Sequence, residues 1–208
     1  MILSPIDAET LPDALDTFGA NLAGDPFART AFARIRDSRR NARGGEERWR
    51  ADALTLAASL GIETLDEEPR AAFSWDGRRI RTRSEPSVLI HEIAHWQLCP
   101  PERRELYDFG LGAGPETGRR ADADAVAVAS PEERQDEECL TSLLGILWEV
   151  ELGQPGLLAF LEQNWLEGYR RPAAAEHFQR SVARLRAAGF LDPDGRPVRR
   201  ARRAGEPL

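Results

Sequence analysis

Ser84-Glu85-Pro86-Ser87-Val88-Leu89-Ile90-His91-Glu92-Ile93-Ala94-His95-Trp96-Gln97-Leu98-Cys99-Pro100-Pro101 is the stretch whose conformation decides how the rest of the chain is read. A hydroxyl at Ser84 can cap free amides, an acid at Glu85 suits the positive end of a helix, and Pro86 is tolerated in a first turn. Pro100 and Pro101 then stop the helix. On such a helix, residues four apart differ by roughly 40° in direction and about 6 Å in rise, so the rings of His91 and His95 point the same way and can share one ion. Glu92 lies about 100° round the helix, close enough to act on a group at the ion without being a ligand. Eight of the twelve residues from Val88 to Cys99 are apolar, which predicts a helix buried on nearly every face. Two imidazoles and a carboxylate in that setting need partners, because an unpaired buried polar group costs on the order of several kcal/mol. A metal ion would supply one; hydrogen bonds to separate core neighbours are the alternative.

An open metal site usually has three protein ligands. The longer metzincin signature would need glycine in place of Leu98 and histidine in place of Pro101, so the third ligand must come from elsewhere. Ser130-Pro131-Glu132-Glu133 marks a second helix start, with hydroxyl cap, proline at the first position and an acid three residues on. This helix is expected to run to Leu152 and stop at Gly153-Gln154-Pro155. Its acidic start offers Asp136, Glu137 and Glu138. Leu140, Leu143, Leu144 and Leu147 form its large apolar face, with Glu138 roughly opposite and Asp136 toward the apolar side. The face of Glu138 continues through Thr141, Ser142 and Gly145, small residues that would let a second helix come close. All three acids also fit a helix start that merely complements the positive helix end. Cys99 continues the histidine face but reads better as a buried thiol. His177 reads as a residue of a late amphipathic helix.

Outward from this pair, Phe27, Phe32 and Ile35, then Trp49, Ala53, Leu56 and Leu60, fall at helical spacing around the break Asn41 to Gly45 and predict two helices. Asp76-Gly77 between short runs predicts a β-hairpin and hence a small antiparallel sheet. Asp108 to Gly118 is a glycine-rich loop, and Ala121 to Ala129 reads as a connector. Pro155 to Leu166 and Ala173 to Ala188 are amphipathic. The expected fold is α+β, mostly helical, with a small antiparallel sheet and a zincin-like metal-bearing helix. The expected organisation is one domain over residues 1–195 and an Arg-rich tail, a frayed end, over 196–208.

The 208 residues suit one domain with a sizeable core, and 41% apolar with 30% charged residues is an ordinary globular composition. A net charge of −7 disfavours nonspecific binding to nucleic acid or an anionic membrane. There is no apolar run near the roughly 20 residues that span a bilayer, and Met1 to Leu11 lacks a basic segment followed by an apolar one. Two cysteines are too few for a disulfide framework. The expectation is a cytoplasmic protein with no membrane and no direct nucleic-acid partner. Every basic residue is arginine. Arg103, Arg104 and Arg119, with Asp108, flank the glycine-rich loop and are candidates for substrate binding.

His91-Glu92-Ile93-Ala94-His95-Trp96, then Arg103-Arg104 and Asp108-Phe109-Gly110, read in that order, resemble the elongation factor P hydroxylase family. The resemblance covers roughly Pro86 to Pro155. Matching backward from Gly153-Gln154-Pro155 places the family's downstream metal-binding glutamate on Glu138. After Gly110 the chain departs from the family, with Leu111-Gly112-Ala113-Gly114 where the family has aromatic residues. The resemblance implies a nonhaem iron monooxygenase that hydroxylates a side chain of a protein substrate, such as a modified lysine of a translation elongation factor. In that reading His91, His95 and Glu138 hold one divalent ion, Fe(II) by preference, and Glu92 handles protons. The ligand set alone also suits Zn(II) and a hydrolase, above all a peptidase, in which Glu92 is the general base.

Overall fold

The computed structural model describes residues 6–208. They are mostly helical, in the order α1 (Leu11–Asn21), α2 (Pro26–Asn41), α3 (Glu46–Ser59), β1 (Glu63–Leu65), β2 (Arg79–Arg81), α4 (Pro86–Leu98), α5 (Arg120–Ala125), α6 (Pro131–Glu151), α7 (Gly156–Glu162) and α8 (Pro172–Ala187). Among the described residues no helix is long and apolar enough to cross a membrane. The expected break between α2 and α3 and the expected ends of α4 and α6 fall where proline and glycine stand. α1 lies upstream of the first helix read from the sequence, although Ala14, Leu15 and Phe18 are buried on it at helical spacing. α7 is shorter than Pro155 to Leu166; soon after it Asn164 takes the left-handed conformation, φ 63°. Part of the stretch Ala121 to Ala129 is helical, as α5.

The sheet corrects the sequence expectation. β1 and β2 run parallel, with Glu63, Thr64 and Leu65 opposite Arg79, Ile80 and Arg81. The Asp-Gly turn does form: Asp76 Oδ1 accepts the N–H groups of Arg78 at 3.1 Å and Arg79 at 2.7 Å, and Trp75 and Ile80 make an isolated antiparallel bridge. The hairpin goes no further because its upstream arm is engaged elsewhere. Pro69–Ala71 is a 3-10 turn, and the carbonyl of Ala72 accepts N–H groups from Gly118 at 3.0 Å and Arg119 at 2.9 Å. Glycine is required for that closure, since a Cβ at Gly118 would lie 1.8 Å from the Arg70 carbonyl oxygen.

Where the sequence suggests one domain over 1–195 and a tail, the described residues form two compact units, one of residues 6–43 with Ile146–Val198 and one of Gly44–Gly145 with Arg199–Leu208. The first is built on hydrocarbon. Phe18, Phe32, Phe160 and Phe178 meet at centroid distances of 4.9 to 6.2 Å in tilted and edge-on pairs, the arrangement aromatic quadrupoles favour. Its one buried hydroxyl at the α2–α7 contact is used twice, Ser38 Oγ donating to the Ile35 carbonyl at 2.6 Å and accepting the Leu157 N–H at 2.8 Å.

The second unit holds α3, the sheet, α4, α5 and the first part of α6. The last three carbonyls of α4 and that of its C-cap residue Cys99 find donors outside the helix. Arg104 Nε donates to Trp96 O at 3.0 Å and Arg104 Nη2 to Cys99 O at 2.9 Å, while the Arg202 N–H donates to Gln97 O at 2.8 Å and its Nη1 to Leu98 O at 3.4 Å. Such carbonyls have no partner within a helix and must be met by side chains, water or another segment. The C-terminal residues are thus not the frayed end the sequence suggests, because Arg200 and Arg202 are tied to α4, Gln97 Nε2 donating to Arg200 O at 2.7 Å. At the other end of α4 the expected cap is not made. Glu85 stands at the N-cap without a side-chain bond, and the buried Ser84 hydroxyl has no hydrogen-bond partner.

Candidate metal centre

α4 presents His91, Glu92 and His95, and α6 presents Glu138. Leu89, Ile90, Ile93, Ala94 and Leu98 bury α4, while His91 and Glu92 lie at its half-buried edge. The two helices pass close to each other at Gly145, where a Cβ would stand in ordinary van der Waals contact with His91 Cα, 3.5 Å away. His91, His95 and Glu138 each offer one donor atom, all within 4.8 Å of one another. Glu138 Oε2 lies 3.4 Å from Nε2 of His91 and 3.4 Å from Nε2 of His95. Two donors about 2.1 Å from one ion and at the tetrahedral angle lie roughly 3.4 Å apart, so both carboxylate–imidazole separations suit a shared ion. Two neutral nitrogens and one anionic oxygen suit a divalent transition metal. The group could hold a metal ion. His95 is 6% exposed, whereas His91 is 24% and Glu138 40% exposed, so the cluster is closed behind His95 and open to solvent on the other side.

The charges are coupled. Burial works to raise the Glu138 carboxyl, but the imidazoles of His95 and His91 outweigh it and hold the group well below the usual carboxylate range. Burial works against protonation of His95, yet the charge and hydrogen bond of Glu138 raise its value above that of a free histidine. His91 is lowered, burial outweighing its bond to Glu138. Burial pushes the Glu92 carboxyl up to about 8; His95 opposes the rise, and Asp108, Glu138 and Glu116 add to it. In the metal-free protein Glu92 therefore carries a proton at neutral pH and can exchange it near neutrality.

His95 is held on two sides. Its Nδ1 lies 3.3 Å from the hydroxyl of Thr141, one turn beyond Glu138 on α6. Its ring stacks on Phe109 with centroids 5.5 Å apart and planes 24° from parallel, and Phe109 stacks in turn on Trp75 at 5.1 Å and 8°. Phe109 reaches this place through an unusual backbone, since Asp108 (φ 43°), Phe109 (φ 57°) and Gly110 (φ 68°) are all left-handed. Asp and Gly adopt that region readily, but a phenylalanine there costs on the order of 1 kcal/mol or more and needs surrounding structure to hold it. Asp108 supplies that structure: its carboxylate accepts the Thr117 hydroxyl and the Trp75 N–H, and its own N–H donates to Trp75 O at 3.0 Å. Burial raises the Asp108 carboxyl although these bonds oppose the rise.

Of the residues singled out from the sequence, the structure brings His91, His95 and Glu138 together, with Glu92 next to His91 on the same helix. Of the substitutes for Glu138, Glu137 is buried and bonded to Arg103 through Oε2, with Oε1 unpartnered, and Asp136 is exposed rather than on the apolar side. The four residues read as substrate-binding have partners within the protein. Arg103 is committed to Glu137, Arg104 to backbone carbonyls and the Trp96 face, 4.6 Å away, and Asp108 to the turn. Arg119 is exposed, paired with Asp122 at 2.7 Å and lying 5.4 Å from the Phe73 ring. Cys99 is buried outside the cluster and burial pushes its thiol up to about 12, which makes it an inert core residue. His177 stacks on Trp165 at 5.4 Å. Sequence reasoning passed over the support that Thr141, Phe109 and Trp75 give His95. For Thr141 a signal was present, since a residue three after Glu138 faces the same neighbour; the contact of Phe109 depends on three consecutive left-handed residues that no periodicity announces.

Comparison of the chain with known protein families, with curated proteins and with solved structures returns no match.

Proposed function

We propose that this protein is a metal-dependent enzyme whose ion is held by His91, His95 and Glu138 on a zincin-like helix pair, and that it is a nonhaem iron monooxygenase acting on a side chain of a protein substrate. The observation that carries the reading is Glu138 Oε2 standing 3.4 Å from both histidine Nε2 atoms on the open side of the cluster. Fe(II) bound in a set of two histidines and one carboxylate supplies redox chemistry and free positions for oxygen and substrate. The chain's own residues do the rest. Glu138 brings the negative charge that makes the pocket select a cation, and burial of His95 keeps one wall dry. Glu92, which follows His91 on α4, is the group proposed to handle protons next to the ion. The resemblance of His91 to Trp96, Arg103-Arg104 and Asp108 to Gly110 to the elongation factor P hydroxylases makes a modified lysine on a translation elongation factor the first substrate to test, in the cytoplasm.

A zinc hydrolase is the second reading, supported by the order His91-Glu92-Ile93-Ala94-His95, in which a glutamate next to the first histidine can serve as general base for water. Metal analysis of protein purified without added metal, anaerobic Fe(II) titration, and parallel assays of oxygen consumption and peptide cleavage separate the two. The expected result is one equivalent of iron, bound at least about 100-fold more weakly by Glu138→Ala, with oxygen consumed in step with substrate hydroxylation when a two-electron reductant is supplied, the second oxygen atom leaving as water. Full zinc occupancy with proteolysis abolished by Glu92→Gln overturns the iron reading, and no uptake of any transition ion near neutral pH overturns both.

A further inference from the structure

The geometry points to Thr141 and Phe109 as positioning residues for His95, the hydroxyl fixing the ring's rotation through Nδ1 and the aromatic face fixing its plane, so that Nε2 is turned toward Glu138 before any ion arrives. The inference rests on the metal reading above and names what sets the strength of that site. His95 is the buried member of the cluster, and its two ring nitrogens have distinct neighbours: Nε2 lies 3.4 Å from Glu138 Oε2 and Nδ1 lies 3.3 Å from Thr141 Oγ1. When Nε2 faces a cation, Nδ1 carries the ring proton, and the Thr141 oxygen is placed to accept it. A partner on the far nitrogen selects the tautomer and orients the ring, and losing one typically weakens a metal site about 10- to 100-fold.

The two supports come from different parts of the chain. Thr141 shares α6 with Glu138, so one helix carries both a ligand and the group that aims another ligand. Phe109 comes from the left-handed turn and lies between Trp75 and the imidazole, with Asp108 bonded to Thr117 and Trp75 behind it. Thr141 is fully buried and Phe109 is 1% exposed, so water cannot take the place of either. Neither residue is among the three that can hold the ion. Their effect is therefore on affinity and ring geometry, through His95.

The test uses the full chain with Zn(II) as a diamagnetic probe, competed against a chromophoric chelator, and 15N spectra of the histidine rings with and without metal. Thr141→Val keeps shape and removes the hydroxyl; it is expected to lower Zn(II) affinity about 10-fold or more and to speed solvent exchange of the His95 Nδ1 proton. Thr141→Ser retains the hydroxyl and is expected to stay within about threefold of the parent, which also guards against a Val variant that fails to fold. Phe109→Leu is expected to lower affinity severalfold and shift the His95 ring resonances. Thr141→Val binding within twofold of the parent, with unchanged exchange, overturns the hydroxyl's role, and unaltered binding by Phe109→Leu overturns that of the aromatic face. If the parent protein binds no Zn(II), the metal reading falls by itself. The metal-free spectra then decide the clamp: a His95 Nδ1 resonance that moves in Thr141→Val upholds the contact, and one that does not move overturns it.

Discussion

The two helices that carry the candidate ligands are secured in opposite ways. α6 is held locally at its start: Ser130 Oγ accepts the Glu133 N–H at 3.2 Å and Glu133 Oε2 accepts the Ser130 N–H at 2.9 Å, a reciprocal pair four residues wide. α4 has no side-chain cap at its start, and its end is closed by Arg104 and by Arg202, a residue 103 positions beyond Cys99. A local cap needs only one turn of chain to form, whereas at the end of α4 the Gln97 and Leu98 carbonyls meet their donors only when the C-terminal segment has docked. The helix with two histidines on it therefore depends on long-range structure for its last turn, which is the turn that contains His95 and begins the approach to Pro100-Pro101.

That contrast is broken most forcefully at Arg104. Its guanidinium donates to Trp96 O, Cys99 O and Arg202 O and lies over the Trp96 ring, so Arg104→Ala removes three hydrogen bonds and leaves part-buried carbonyls without donors. The expected loss is on the order of 2–4 kcal/mol, measured by chemical denaturation followed through tryptophan fluorescence. Arg104→Lys is expected to recover little of it, because an ammonium cannot span three acceptors in the fork geometry that guanidinium has. A loss below about 0.5 kcal/mol would show that water serves these carbonyls equally well and that the C-terminal segment is dispensable to α4.

The same contrast explains what could be read from the sequence. Signals confined to one turn were legible: the Ser130-Pro131-Glu132-Glu133 start, the Pro100-Pro101 stop, the Asn41 to Gly45 break and the shared face of His91 and His95 are all local. Glu138 was nameable because Thr141, Ser142 and Gly145 extend its face and because the resemblance, matched backward from Gly153-Gln154-Pro155, implies a ligand there; Gly145 does lie against His91. Whatever depends on a distant partner was not legible. The Asp76-Gly77 turn formed, yet the strand beside Ile80 is Thr64 in parallel, because the Ala72 carbonyl is occupied by the Gly118 and Arg119 amides. The helix-closing role of Arg104 was not legible, because a guanidinium that closes a helix and one that greets a substrate have the same letter and the same flanking loop. Arg200 and Arg202 looked frayed for the same reason, their hydrogen-bond partners being about a hundred residues away.

A smaller effect is expected at the local cap. Ser130→Ala removes the oxygen that accepts the Glu133 N–H, and the reciprocal bond loses its geometry with it. About 1 kcal/mol is expected, within the range for caps of this kind, with Zn(II) affinity unchanged because Glu138 lies two turns further along. A drop in affinity larger than the drop in stability would mean that the first turns of α6 set the position of Glu138, and the two ends of the comparison would no longer be independent.

The smallest effect belongs to Ser84, and it runs the other way. Its hydroxyl is buried and makes no hydrogen bond, so the folded state carries the cost of removing a polar group from water without compensation. Deleting an oxygen that bonds to nothing removes that cost while leaving a void smaller than a methylene, so Ser84→Ala is expected to be neutral or stabilising by up to about 1 kcal/mol. Ser84→Ala and Ser130→Ala are the same chemical change at the two residues that sequence alone marks as equivalent helix starts. Opposite signs in one denaturation series would establish that α4 begins without a cap. A loss of about 1 kcal/mol at both positions would instead place the Ser84 hydroxyl on the free amides of α4 in solution, and the asymmetry between the two helices would reduce to their C-terminal ends.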